Sequence, residues 1–203
     1  MDTKYFDKRA ENWDAQEARV KRAEKIYRAV AENITVSGAD TALDFGCGTG
    51  LLGFNFIKTV KSVTFADTSA GMLEQIVKKA ERDGIKNYRT LNLTEKPMTE
   101  NYNIIVSLMA LHHIEDLPKT INGLTRHLLK GGFICFSDLD LEDGSFHYPD
   151  VAPHNGIDRN LITENLAAGG GRVIYNETVH TETKTVDGKT KEFPIFLIIG
   201  VKK

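Results

Sequence analysis

Three stretches of this chain place chemically useful side chains at telling positions. Asp44 ends an apolar run and is followed by Gly46, Gly48 and Gly50; Asp67 ends a second apolar run 17 positions beyond Gly50; His112 and His113 follow a third. Alternate glycines behind a buried strand let the backbone take positive φ and let a ligand lie directly on the main chain. Free N–H groups at the start of a following helix then point at that ligand. The loop reads as a nucleotide cradle. In a doubly wound sheet, a carboxylate placed like Asp67 accepts hydrogen bonds from ribose hydroxyls. Asp67-Thr68-Ser69 also reads as a helix start, so Asp67 is a ribose ligand or an N-cap, with Ser69 available as the cap instead.

Gly48-Thr49-Gly50-Leu51-Leu52-Gly53 satisfies the dinucleotide pattern G-x-G-x-x-G. A dinucleotide brings a pyrophosphate to that loop, however, and a neighbouring carboxylate would repel it. Asp44 is such a neighbour. A ligand with a sulfonium and an ammonium but no phosphate meets attraction there. The run Leu43-Asp44-Phe45-Gly46-Cys47-Gly48-Thr49-Gly50 resembles the first motif of the class I S-adenosylmethionine-dependent methyltransferases. The resemblance implies that Asp44, Gly46, Cys47, Gly48, Gly50, Asp67 and Thr68 hold the cofactor. It also places Asn92 at the adenine amino group, with Met72, Leu93 and Leu108 as apolar contacts to the base. Aspartate is commoner at the position of Asn92, but an amide can accept from the adenine amine and donate to the ring.

The same resemblance extends to both sides of the cradle. Tyr5 to Trp13 is similar to the N-terminal segment that many small-molecule methyltransferases fold over the cofactor, with Phe6 and Trp13 as its aromatic contacts. The alternative is that these rings staple the first helix to the core. His112 and His113, with Asp116 close behind, resemble the exit of the fourth strand in small-molecule members; one imidazole is read as a catalytic general base or acceptor-orienting group, the alternative being that one or both only hydrogen-bond the backbone. The implied reaction is methyl transfer to an O, N, S or C nucleophile, carried mainly by positioning and desolvation. Two rivals remain open: a non-catalytic S-adenosylmethionine-binding module and an NAD(P)-dependent oxidoreductase.

These groups must be carried by alternating strands and helices. Apolar spacing predicts an amphipathic helix over 12–33, a strand from Thr41, a short helix over 51–59, a strand at 61–67 and a helix over 70–82. Strands follow at 88–93 and from Tyr102, then a helix over 117–129 stopped by Lys130-Gly131-Gly132, and a strand at 133–138. A helix over 158–168 precedes two last strands, 173–186 and 192–202, with a hairpin turn at Asp187-Gly188. The expected fold is α/β, a doubly wound, mostly parallel seven-stranded sheet with a C-terminal antiparallel hairpin, in one domain over 1–203. Residues 1–34 form the N-terminal lid and helix, and 139–157, polar and aromatic, form an acceptor-side cover. Asp138, Asp140, His147 and His154 are donors that suit a divalent cation. No spacing among them enforces one site, so no metal is expected.

The 203 residues suffice for a full core, and 26 basic against 28 acidic side chains leave a charge of −2, with no global pull toward nucleic acid or membrane. Base-modifying members usually carry two prolines and an aromatic after the fourth strand, where this chain has Ser107-Leu108-Met109-Ala110. A small-molecule acceptor is therefore expected. The two cysteines, Cys47 and Cys135, lack C-x-x-C spacing and read as reduced thiols in a cytoplasmic protein. The first residues show no basic-then-apolar leader, and no apolar run approaches a membrane span.

Overall fold

The apolar runs become the strands of a single sheet. In the computed structural model, which describes residues 3–203, these are β1 (Thr41–Phe45), β2 (Ser62–Asp67), β3 (Tyr88–Asn92), β4 (Tyr102–Leu108), β5 (Leu128–Leu139), β6 (Gly171–Val186) and β7 (Lys189–Lys202). Met1 and Asp2, which open the stretch read as lacking a leader, lie outside the described residues. The seven strands run in the order β3-β2-β1-β4-β5-β7-β6. β1 to β5 pair in parallel, and β7 is antiparallel to both β5 and β6. The fold is thus the expected α/β sheet. Asp187 (φ 49°) and Gly188 (φ 73°) make the hairpin turn with both central residues left-handed, the arrangement that matches strand twist.

Both faces of the sheet are covered, because neighbouring residues of a strand point oppositely. Ala42, Val63, Phe65, Ile104 and Val106 pack with Ile26 and Val30 of α2 (Glu17–Asn33) and Ile76 of α3 (Ala70–Arg82). Leu43, Ile105, Ile134 and Phe136 pack with Ile121 and Leu124 of α4 (Leu117–Arg126) and Ile162 and Leu166 of α5 (Arg159–Ala168). The strand order reverses between β1 and β4. In such sheets the crevice at that switch, outside the strand carboxyl ends, receives ligands. The loops after β1, β2 and β4 all open there.

Three local expectations need correction. The helix expected over 51–59 is only a 3-10 turn, Gly53–Phe56. At Gly53 the backbone dips onto the sheet so closely that a Cβ would fall 2.5 Å from Phe65 and 2.7 Å from Asp44. Two glycines in four positions also disfavour an α-helix. Lys130-Gly131-Gly132 does not end a helix; α4 stops at Arg126 and β5 starts at Leu128. Gly131 (φ 75°) sits where the β4–β5 pairing slips from Tyr102–Leu128 to Ile104–Phe133, and so absorbs the extra residues of a bulge. The helix expected over 12–33 starts only at Glu17, as α2; residues 12–15 belong to a 3-10 turn (Ala10–Ala15), preceded by a short α1 (Thr3–Asp7).

Residues 139–157 form a loop closed at its base. Asp140 bridges to Ile157, and Glu142 N donates to Asn155 O at 3.0 Å. Gly156 (φ 73°) lies where a Cβ would meet the Asp140 carbonyl at 2.0 Å. The loop is held from the far side by the hairpin. Lys184 Nζ donates to Phe146 O at 2.7 Å, Lys191 pairs with Asp143 at 2.7 Å, and Phe146 packs edge-on to Phe193.

Candidate functional site

The turn after β1 rises from the sheet with Gly46 (φ 65°) and Gly48 (φ 51°) in left-handed backbone. Their roles differ. A Cβ at Gly46 would collide with Ala110 at 2.4 Å, so this glycine lets the β1 and β4 loops touch. At Gly48 the nearest heavy atoms, Met72 Sδ and Trp13 Nε1, are 4.0 Å from where a Cβ would sit, so its backbone faces open space. That space is a cavity of about 550 Å³, within the range of small-ligand sites. Phe6, Trp13, Asp44, Gly46, Cys47, Gly48, Asp67, Thr68, Met72, Leu93 and Leu108, all expected at the donor, line it.

Gly50 and Asn92 do not line it. Gly50 (φ 82°) works behind the loop, where a Cβ would press on Phe65 at 2.9 Å. Asn92 closes its own turn: its Oδ1 accepts from Thr94 N at 3.0 Å and Thr94 Oγ1 at 2.7 Å, and its amide donates to Glu95. An Asx turn has claimed the amide expected at the adenine amine. Its neighbour Leu93 takes the wall position.

Asp67 organises the cradle. One carboxylate oxygen accepts from Gly48 N at 2.8 Å and the other from Ser69 N at 2.9 Å. Ser69, not Asp67, caps α3, accepting from Met72 N at 3.1 Å. An ionised carboxylate has about four lone-pair positions, so Asp67, which lines the cavity, retains acceptor capacity. Asp44 is buried beside it, and its Oδ2 accepts from Gly53 N at 2.8 Å. Burial, helped by the nearby Asp67 charge, pushes the Asp44 carboxyl up to about 7, and burial likewise raises Asp67. Two acids desolvated together favour a cationic group in the cavity. Both cysteines are free and buried, and burial raises their thiols, so neither serves as a nucleophile.

The N-terminal segment closes the cavity. Asp7 Oδ1 accepts from Ser69 Oγ at 2.6 Å and Gly71 N at 2.9 Å, which latches α1 to the start of α3. Asp14 accepts from Thr49 Oγ1 at 2.5 Å and pairs with Lys79 at 2.8 Å. Phe6 lies edge-on to Trp13 and to His113, with centroids 6.0 and 5.2 Å away. These rings sit between the first cavity and a second one of about 270 Å³, since Phe6, Trp13, Met109 and His113 line both. Met109 holds a positive φ of 53° at the β4 exit, a rare conformation for a side-chain-bearing residue.

The second cavity is walled by His112, His113, His147, Tyr148 and Asp150, with Arg19, Arg22, Glu182 and Lys184 opposite. Arg19 stacks on Trp13 with its guanidinium carbon 3.7 Å from the ring centroid, and Arg22 pairs with Glu182 at 2.8 Å. Neither arginine stands out in the charged α2 sequence. The available signal is their spacing: 19 and 22 fall two turns and one turn before Ile26, on the helix face that goes inward.

His112 is 1% exposed and its Nδ1 is bonded to the fully buried Asp138. His112 Nε2 lies 3.0 Å from His147 Nε2. Burial first, then the adjacent imidazoles, hold His113 down at about 2 and His147 at about 4, so both rings are neutral. The other two side chains noted from sequence as suited to a divalent cation are employed elsewhere. Asp140 pairs with Arg159, and His154 Nε2 is bonded to Ile114 O at 2.8 Å.

Comparison with known proteins agrees with this arrangement. A family model described as a methyltransferase domain matches residues 43–134, from β1 into β5. An uncharacterized methyltransferase of Schizosaccharomyces pombe is 30% identical over 154 residues, 65% of this chain and 54% of that protein. A ubiquinone biosynthesis O-methyltransferase of Rickettsia canadensis is 24% identical over 120 residues, 59% of this chain and 51% of that protein. The chain thus spans about half the length of these two relatives. Among solved structures, a chain of the complex between the Haloferax volcanii Trm112 methyltransferase activator and the putative methyltransferase superposes with a TM-score of 0.74 at 15% identity, covering 97% of this chain and 96% of that one. With the glycine loop, the two buried acids and the terminal hairpin, these findings show a methyltransferase domain over residues 43–134 in a chain that is similar to the class I S-adenosylmethionine-dependent methyltransferases.

Proposed function

We propose that the chain transfers a methyl group from S-adenosylmethionine to a nucleophile on a small molecule. The observation that carries this reading is the pair of adjoining cavities, one built on the glycine loop and two buried acids, the other about half its volume and walled by imidazoles and cations. The backbone exposed at Gly48, the spare acceptor positions of Asp67 and the negative environment of Asp44 fit the cofactor. When bound, it supplies an electrophilic methyl on a sulfonium. Phe6, Trp13 and Met109, on the wall shared by both cavities, exclude water and set the line of approach between donor and acceptor. His113, neutral and on the same wall, is the group placed to orient the acceptor.

The size of the second cavity supports a small acceptor, as does the relative named for ubiquinone biosynthesis O-methylation. Among the described residues no helix is long and apolar enough to cross a membrane. The test is titration with S-adenosylhomocysteine and NAD⁺, followed by incubation of labelled S-adenosylmethionine with metabolite extracts. Preferential binding of S-adenosylhomocysteine and label in a low-molecular-weight product are expected. Preference for NAD⁺ overturns the donor assignment; binding with no label in any extract reduces the protein to a cofactor-binding module.

A further inference from the structure

We propose that His112, His113 and His147 form a zinc site facing the second cavity. His112 and His113 come from the 3-10 turn Leu111–His113 after β4 and His147 from the closed loop 139–157, so the site exists only once that loop is folded onto the sheet. One ring nitrogen from each lies within 4.8 Å of the other two. Zinc–imidazole bonds of about 2.0–2.1 Å at a tetrahedral angle put ligand nitrogens about 3.3 Å apart. The observed His112 Nε2 to His147 Nε2 separation of 3.0 Å is close to that, and a shift of His113 brings in the third.

Two independent features point to a ligand. Asp138 engages His112 Nδ1 and also accepts from the backbone N of Leu111 at 2.9 Å, which fixes the ring and leaves Nε2 facing the cluster. A carboxylate behind a histidine is the usual second partner of a metal-binding imidazole. The His113 Nδ1 is buried with no hydrogen-bond partner, a cost that a bound cation removes. Nor does the surrounding charge oppose a dication. Arg19, Arg22 and Lys184 are matched in number by Asp138, Asp150 and Glu182. Three imidazoles with a fourth position open to a cavity are the donor set of a catalytic rather than a structural zinc.

The role of the metal rests on the methyl-transfer reading. Zinc bound there holds an acceptor oxygen or sulfur by its lone pair, favours the deprotonated form, and keeps it beside the wall shared with the donor cavity. The metal is neither oxidised nor reduced, and the acceptor's proton leaves to solvent or to a neighbouring base.

The site is tested on untagged protein freed of metal by a chelator, without any methyl acceptor. Titration with zinc is expected to give one equivalent per chain, and cobalt(II) to give the visible bands of a four- or five-coordinate imidazole site. His147→Ala, on the surface loop, weakens zinc at least about 10-fold, and Asp138→Asn by about 10–100-fold. His154→Ala leaves zinc affinity unchanged. S-adenosylhomocysteine titration of every variant reports folding and the donor site separately. Absence of stoichiometric zinc, six-coordinate cobalt spectra, or unchanged zinc affinity in a folded His147→Ala protein each overturns the site, whatever the fate of the methyl-transfer assignment.

Discussion

The Tyr5 hydroxyl donates to Asp150 Oδ2 at 2.7 Å, joining the first helix of the chain to the loop that covers the second cavity. Two separate covers are therefore hydrogen-bonded to each other above the site. Asp7 holds the same helix to α3, so α1 links the donor side to the acceptor side.

Tyr5→Phe removes this link and leaves the ring. An exposed hydrogen bond of this kind contributes about 0.5–1.5 kcal/mol, which corresponds to roughly 2–10-fold faster release of S-adenosylhomocysteine. Stopped-flow displacement measures that rate. A small change in thermal midpoint is expected, because the bond lies outside the core.

Asp67→Ala removes the acceptor for Gly48 N and Ser69 N together with the proposed ribose ligand. Cofactor affinity is expected to fall by about 1–3 kcal/mol. Calorimetric titration of the folded variant provides the value. Ser69→Ala, which removes the helix cap and one of the two hydrogen bonds that hold Asp7 but leaves the Asp67 carboxylate in place, should cost about 1 kcal/mol of stability and leave the affinity closer to that of the parent.

Asp44 links the empty protein's stability to pH. Its carboxyl titrates near its ordinary value of about 4 when the chain is unfolded and at about 7 when folded. The folded state thus holds the extra proton between these values, and stability falls as pH rises from about 4 to about 7, by a few kcal/mol at most. A cationic ligand favours the ionised form, so S-adenosylmethionine should release close to one proton on binding near pH 6 and bind more tightly as pH rises to about 7. Calorimetry in buffers of different ionisation enthalpy detects the proton, and Asp44→Asn abolishes it.

Gly53→Ala tests the contact that turned an expected helix into a 3-10 turn. The added methyl would lie 2.5 Å from Phe65 and 2.7 Å from Asp44 Oδ2. Overpacking of this kind costs about 1–3 kcal/mol, visible as a lower urea midpoint. Gly38→Ala, at a position with nothing within 4 Å, is the control.

The central strands β1, β2, β4 and β5 were legible because each carries an apolar run, which fixes its burial on both faces. The cradle was legible because backbone constraints leave glycine as the natural residue at Gly46, Gly48 and Gly50. The turn at 53–56 was not, since its cause is Phe65, a residue of another strand. The turn that Asn92 makes with Thr94 was not legible, because an Asx turn leaves no mark beyond two polar residues. His147 is separated by 34 positions from His113, and only the closure of the loop by Gly156 and Lys184 brings it there. Arg19 and Arg22 were hidden in a helix whose every turn is charged.

The hairpin of β6 and β7 extends past the sheet and holds residues 143–146 through Lys184 and Lys191. The glycine loop and the two buried acids, in contrast, lie between Asp44 and Asp67. A change of a few residues in hairpin length can therefore widen or narrow the acceptor cavity while the glycine loop, Asp44 and Asp67 stay in place, which gives the protein a route to new substrates at constant cofactor chemistry.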